Sequence, residues 1–362
     1  MSMQKVSGMQ VVMLTALIIL VVGLKHPPVV MMEAAREGAW VGYIAGVLIT
    51  GPIIWMLYRL SKRFPNEDLF LVLIKRAPLA GRVIVLAYLA YFLFMLAHDI
   101  RFIIGLTNIL LLPTTPIEVT GLAVALAAYY AARDGIEAVA RLAQLFFPVL
   151  AVLVLSLPLM LGTQADIRNI DPLEWNVTGQ LKSALYAFGG LSEIIVLPFI
   201  APYPAFRLRS AYYGLALGTL LLGILLIESL LVFGPELASL FFDPPYMLIR
   251  QIRITDFLDR LDLPILAVWM LNVFVKISLY IYAVSLAVHR LANIASARIV
   301  TGPVGLSGLV CSYWFFESSN QLVELAKFRP FLMLVYAVLL PLLLFVWLRA
   351  KAKRSVMRLR RN

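Results

Sequence analysis

Cysteine and charge are both scarce in this chain. Cys311 is the single cysteine among 362 residues, which excludes an intrachain disulfide, and we assign its thiol no function. Charged residues make up 14% of the chain, whereas a soluble domain has about a quarter. Hydrophobic residues make up 62%, and the mean hydropathy is +0.91. This composition excludes an ordinary soluble protein and predicts a polytopic membrane protein.

Motifs for nucleotide or metal chemistry are missing from the sequence. It contains no Walker lysine loop, no G-x-G-x-x-G after a strand, no H-E-x-x-H and no cysteine–histidine metal spacing. An ATP-driven pump and a membrane protease are therefore disfavoured, and we expect no enzyme activity, cofactor or metal. The net charge of +11 does not indicate nucleic acid, because seven basic residues lie within 349–361, directly after a hydrophobic run. Such a cluster is typical of contact with anionic lipid head groups.

The hydrophobic runs predict an all-α integral membrane protein with ten transmembrane helices. Runs of about 20 residues are long enough to cross the hydrocarbon core. We expect residues 1–349 to form one transmembrane domain and residues 350–362 to form a basic cytoplasmic tail. The predicted spans are 9–32, 39–60, 84–112, 117–132, 138–161, 180–202, 208–234, 263–288, 302–317 and 328–348.

Basic residues predict the orientation of these spans. Segments on the N-terminal side of the membrane carry 20 lysines and arginines, and segments on the opposite side carry 8. This bias places both termini in the cytoplasm. The longest outside connection, 233–262, repeats apolar residues at helical spacing from Ile254 to Leu261, which predicts a short interfacial helix after Pro244 and Pro245.

Two of the predicted spans are interrupted. The first contains "VVGLKHPPVV" (21–30), and the sixth contains "YAFGGLSEIIVLP" (186–198). Interruptions at corresponding positions of two halves, here about 9–161 and about 180–348, point to an inverted-repeat transporter that holds its ligand near the midplane. The candidate ligand-binding residues are Gly23, Leu24, Lys25, His26, Pro27, Phe188, Gly189, Gly190, Ser192 and Glu193.

Further charged and polar residues lie at membrane depth, where they should be paired or face water. Arg101 could form a buried pair with Asp99 or contact the ligand, and Glu193 is the candidate proton carrier. Lys276 could replace a sodium ion as a built-in cation, or it could form a salt bridge to Glu228 or Glu193. The candidates for ion or proton coupling, or for buried pairs, are Asp99, Arg101, Glu228, Lys276 and Tyr280.

Several segments, in order, give the chain a family resemblance. They are "VSGMQVVML", "SKRFPNEDL", "LLPTTPIEV", "ARDGIEAVAR", "RNIDPLEWN" and "FGPELASLFFDPPYMLIRQIRITDFLDRLD". With them the chain resembles the B-subunit family of spore nutrient germinant receptors, a branch of the amino acid, polyamine and organocation (APC) transporter superfamily. The charged "KH" in the first interruption departs from the mostly neutral stretch expected there.

The resemblance implies a LeuT-like bundle with a central pocket between spans one, three, six and eight. It implies a small nutrient ligand such as an amino acid, and a location in the spore inner membrane beside a larger membrane subunit and a lipoprotein. Three functions stay open, because one fold hosts all of them. The chain could be a sensor that signals to partner subunits, a proton- or sodium-coupled amino acid permease, or a component of a solute or ion channel.

Overall fold

The computed structural model describes residues 6–23, 27–170, 175–241, 243–252 and 262–347. Regular structure in these ranges is entirely helical. The α-helices are α1 (Gly8–Gly23), α2 (Pro27–Ala35), α3 (Ala39–Lys62), α4 (Leu69–Arg76), α5 (Pro78–Leu110), α6 (Ile117–Arg133), α7 (Ile136–Leu161), α8 (Val177–Leu191), α9 (Leu197–Ile200), α10 (Leu208–Leu240), α11 (Pro244–Gln251), α12 (Asp262–Ala292), α13 (Ala297–Phe315) and α14 (Ser319–Met333).

Shorter helical segments adjust the paths of the long helices. Three 3₁₀ segments cover Arg36–Gly38, Ile167–Asn169 and Ser192–Val196, and a π-helical segment, Leu334–Leu339, continues α14. Arg36 has a φ of 47°, in the left-handed region, so the backbone turns between α2 and α3.

Seven helical stretches in the described residues are long and apolar enough to cross a membrane, which confirms an all-helical integral membrane protein. They correspond to predicted spans two, three, five, six, seven, eight and ten. Of the other three predicted spans, the first coincides with α1, which is too short for the same criterion, and with α2, which is part of the stretch Pro27–Lys62. The remaining two coincide with α6 and α13, which are not among the seven stretches. The count of ten spans therefore stays a prediction.

The sixth and eighth spans lie at the centre of the bundle. Within the apolar window of each stretch, 89% of Val177–Ile200 and 67% of Asp262–Ala292 is buried, against 28% of Gln321–Trp347. Small residues allow close helix packing there: a Cβ on Gly46 of α3 would lie 2.6 Å from the Cβ of Ala187 in α8. Most side chains of the central helices α8 and α12 are therefore buried inside the bundle.

The connection after α10 differs from the prediction. Its described helix, α11, begins at Pro244 and not after the proline pair, because proline is well tolerated in the first turn of a helix. The Asp243 side chain caps this helix by accepting a hydrogen bond from the Tyr246 backbone N–H at 3.2 Å. The apolar repeat from Ile254 to Leu261 and the basic tail, 350–362, lie outside the described residues.

Candidate functional site

The sixth span changes helix type at its middle. Helix α8 ends at Leu191, a 3₁₀ segment covers Ser192–Val196, and α9 begins at Leu197. Pro198 has no N–H, so it cannot continue the α-helical hydrogen bonding of this segment. The interruption was predicted over Gly189–Glu193, but both glycines are α-helical and the change starts at Ser192. The carboxylate of Glu193 is thus carried by the 3₁₀ segment.

The interruption in the first span faces the one in the sixth. Helix α1 ends at Gly23 and α2 begins at Pro27, while Leu24, Lys25 and His26 lie outside the described residues. A Cβ on Gly190 would lie 3.0 Å from Val22 Cγ1 and 3.6 Å from Pro27 Cγ. The ends of α1 and α2 therefore pack directly on the end of α8.

A small apolar cavity lies where these helix ends meet. It is lined by Val22, Gly23, Pro27, Gly190 and Leu191, among others, and leaves about 10 Å³ for the centre of a water molecule. This volume is the minimum for about one water. The site is closed in this conformation, because no nutrient larger than water fits without movement of the helices.

Four buried charges from four spans meet beside the 3₁₀ segment. Lys276 Nζ of α12 lies 3.1 Å from Asp99 Oδ2 of α5 and 2.5 Å from Glu193 Oε2. Arg329 of α14 forms an ion pair with the other carboxylate oxygen of Glu193. We call Asp99, Glu193, Lys276 and Arg329 the four-charge cluster; its side chains are at most 5% exposed.

Two further polar side chains, Tyr280 and His98, complete the contacts of the four-charge cluster. The Tyr280 hydroxyl donates to Glu193 Oε2 at 3.1 Å, and His98 Nδ1 lies 3.2 Å from Asp99 Oδ1. Tyr280 follows Lys276 by one turn of α12, and its ring centroid is 5.6 Å from the ammonium nitrogen. The predicted contact between Lys276 and Glu193 is therefore present, and Asp99 is a second partner.

The four-charge cluster is electrically balanced, with two carboxylates and two cations. Removing an ion from water costs several kcal/mol, and only close opposite charges with further hydrogen bonds offset that cost. Each carboxylate here has at least one cation and a further polar side chain as partners, so the four charges are favourable only as a unit. Neutralising one of the four side chains therefore leaves the other three with an uncompensated charge.

Sequence reasoning missed Arg329. The tenth span was predicted to begin at 328, with Arg329 counted among the outside residues, but α14 begins at Ser319 and buries Arg329 to 4% exposure. The sequence signal was the helical spacing of Leu322, Ala326 and Met333, which places Arg329 on the same face, and the structure buries all four. The outside total of basic residues falls from 8 to 7, so the predicted orientation is unchanged.

A glycine places α14 against the sixth span. A Cβ on Gly189 would lie 3.0 Å from Pro330 N and 3.3 Å from Pro330 Cα, so only glycine allows this approach without a shift of the backbone. Pro330 is the neighbour of Arg329 in sequence. Gly189 therefore allows α14, which carries Arg329, to pack closely against the span that carries Glu193.

Other predicted residues lie apart from the four-charge cluster. Arg101 does not pair with Asp99, since its Nε and Nη2 donate to the carbonyls of Phe316 and Glu317, each at 2.9 Å, and join α5 to the end of α13. Glu228 of α10 is 7% exposed, and its Oε2 has no hydrogen-bond partner among the residues that the structure describes. Phe188 and Ser192 are fully buried beside the interruption.

Comparisons with known proteins agree with this architecture. A family profile described as "Spore germination protein" matches residues 5–322. The putative spore germination protein YfkT of Bacillus subtilis (strain 168) is 42% identical over 350 residues, which are 97% of this chain and 98% of that relative. Spore germination protein KB of the same organism is 25% identical over 74% of this chain and 75% of its own length.

A solved structure shares the fold. Mhp1, a nucleobase-cation-symport-1 family transporter in a closed conformation with bromovinylhydantoin bound, gives a TM-score of 0.61 over 89% of this chain and 75% of its own, at 11% identity. The fold and family are therefore those of membrane transporters or receptors and not of enzymes. Within that class, the chain belongs to the spore germination protein family, which confirms the family resemblance noted in the sequence.

Proposed function

We propose that this chain is the B-type subunit of a nutrient germinant receptor in the spore inner membrane. In this proposal it has ten spans in a LeuT-like arrangement of two inverted five-helix repeats, and both termini are cytoplasmic. Family membership supports the receptor role. The observation that carries the mechanism is that Glu193 belongs both to the interruption of the sixth span and to the four-charge cluster.

The proposed ligand is a small nutrient with both a cationic and an anionic group, such as an amino acid. An ammonium would compete with Lys276 for Asp99 and Glu193, and a carboxylate would compete with Glu193 for Lys276 and Arg329. The closed cavity implies that binding requires separation of the helix ends around Gly23 and Gly190. A ligand that binds the opened state better than the closed state shifts the population between them.

The response to this shift would pass to partner subunits. We propose a larger membrane subunit and a lipoprotein as those partners, in keeping with the family. The four-charge cluster joins α5, the 3₁₀ segment, α12 and α14, so a change at its centre would move several helices together. Such a rearrangement is the two-state element that allosteric signalling requires.

The second candidate function is an ion- or proton-coupled permease. Its support is the fold shared with a solved transporter, Mhp1. A permease would move its ligand across the bilayer, whereas a receptor needs only to bind it. The two functions are separated by measuring both binding and flux with the same purified protein.

The test is a thermal-shift screen of the full-length purified chain, followed by flux in liposomes. Amino acids, nucleosides and sugars would be screened with and without sodium, because a ligand that binds the folded state raises the apparent Tm. A shift without flux supports the receptor, and flux supports the permease. A screen in which no amino acid shifts the Tm, even with the proposed partner subunits present, contradicts the proposed ligand class.

A further inference from the structure

An apolar groove runs along the outer side of the bundle between α3 and α10. Its volume is about 650 Å³, and its rim includes Leu48 at 70% exposure, Tyr213 at 67% and Leu220 at 58%. The small, exposed side chain of Ala216 also lines the groove. From Tyr212 to Leu220 the groove extends for about 12 Å along the helix axis. Its shape and lining suit a hydrocarbon chain that lies parallel to the two helices.

Two hydrogen bonds join the helices at the groove. The Tyr43 hydroxyl donates to the Thr219 carbonyl at 2.6 Å, and the Tyr212 hydroxyl donates to the Gly51 carbonyl at 2.9 Å. These bonds pair the start of α3 with the middle of α10 and the middle of α3 with the start of α10, so the helices are antiparallel. The two walls of the groove are therefore held together by hydrogen bonds in this conformation.

Positive charge stands at one end of the groove. Arg209 precedes Tyr212 and Tyr213 by one turn of α10 and is exposed, with no ion pair or hydrogen bond in the part of the chain described here. Arg59 lies at the same end on α3, with its guanidinium 4.9 Å from the ring centroid of Trp55. The nearest carboxylates along the chain are already engaged, Glu67 by Lys75 and Asp68 by Arg290.

We propose that this groove binds one anionic phospholipid, with an acyl chain between α3 and α10 and the phosphate at Arg59 and Arg209. Basic groups between transmembrane helices at a membrane surface are a recognised basis for binding anionic head groups. Trp55 lies beside Arg59, where an aromatic ring is typical of the head-group level. The groove contains no residue of the four-charge cluster, so this proposal does not rest on the identity of the proposed nutrient ligand.

The test is lipid titration of the full-length detergent-solubilised protein, with bound lipid counted by native mass spectrometry. Phosphatidylglycerol should bind with higher affinity than phosphatidylcholine, and Arg209→Gln should weaken phosphatidylglycerol binding about fivefold. Arg82→Gln, which changes an exposed arginine on α5, is the matched control and should have no effect. Equal binding of the two lipids, or equal effects of the two arginine variants, would overturn the proposal.

A second variant tests the contribution of the acyl chain to binding separately from that of the phosphate. Ala216→Trp should fill the groove and abolish binding of phosphatidylglycerol. If this variant does not fold, Leu48→Trp on the rim of the groove provides the same test. Displacement by inorganic phosphate alone would show a simple anion site and overturn the lipid assignment. A groove substitution that dissociates copies of the chain, with lipid binding unchanged, would show a protein interface instead.

Discussion

Lys327 and Arg329 stand two positions apart on α14, and each forms an ion pair with an acid of another helix. Lys327 Nζ is 2.9 Å from Glu33 Oε1 of α2, with side chains 43% and 51% exposed. Arg329 meets Glu193 with side chains 5% and 0% exposed. Exposed pairs contribute little because water and salt screen them, whereas loss of one partner from a buried pair leaves an uncompensated charge. The two ion pairs join the same kinds of group, but the loss of the buried pair should destabilise the protein far more than the loss of the exposed pair.

The largest effect is expected from Arg329→Met. It removes one cation from the four-charge cluster and leaves two carboxylates opposite Lys276, so the free energy of unfolding should fall by about 3–5 kcal/mol. Thermal or denaturant unfolding in detergent measures the change. Glu193→Gln with Arg329→Met leaves Lys276 opposite Asp99, so the double variant should lose much less than the sum of the single losses. Additive losses would show that the cluster is not one unit.

The next effect is expected from Gly189→Ala. The added Cβ meets backbone atoms of Pro330, so α14 must move away and carry Arg329 with it; the cost should be about 1–3 kcal/mol. Gly190→Ala is the comparison, because the nearest atom to its Cβ is in a side chain, Val22 Cγ1. The apparent Tm should fall more for Gly189→Ala. The reverse order would show that the contact with α14 does not position the cluster.

Asp243 extends the comparison to a buried acid without a cationic partner in the described residues. Burial raises its pKa well above the ordinary value of about 3.9, although its hydrogen bond from the Tyr246 N–H opposes the shift. The folded protein thus binds this proton more tightly than the unfolded chain does. Stability is highest at low pH and falls as pH rises from the ordinary pKa to the raised one.

Asp243→Asn should remove this pH dependence and keep the helix cap, since asparagine caps as well as aspartate. The slope of the free energy of unfolding against pH, as pH rises above about 4, measures this dependence. Each unit of difference between the folded and unfolded pKa corresponds to about 1.4 kcal/mol in total. Glu236→Gln, which changes an acid whose side chain is 79% exposed, is the control and should keep the wild-type slope. An unchanged slope in Asp243→Asn would contradict the assignment.

The smallest effect is expected from Lys327→Gln. Its pair with Glu33 is about half-exposed on both sides, so the loss should lie between about 0 and 1 kcal/mol and vanish at high salt. Unfolding of Lys327→Gln and Arg329→Met under identical conditions gives the contrast directly. A loss at Lys327 as large as that at Arg329 would refute the distinction between the two pairs.

Hydropathy predicted much of the helix pattern, and the interruptions identified Gly23, Gly190 and Glu193. The sequence could not predict which charged side chains form ion pairs with each other, because this pairing depends on how the helices pack and not on residue type. Arg101 was an equally good partner for Asp99 by sequence, yet its guanidinium reaches backbone carbonyls after α13. Arg329 was missed because a polar start to α14 lowers the local hydropathy of a helix that is nevertheless packed inside.

In the proposed function, a small charged nutrient is recognised at the four-charge cluster. The direct measurement is the ligand-induced rise in apparent Tm for the wild type and for the charge-balanced variant Glu193→Gln with Arg329→Met. The wild type should be stabilised by a specific amino acid, and the variant should fold but show no rise. An equal rise in both proteins would place the ligand elsewhere and contradict the claim.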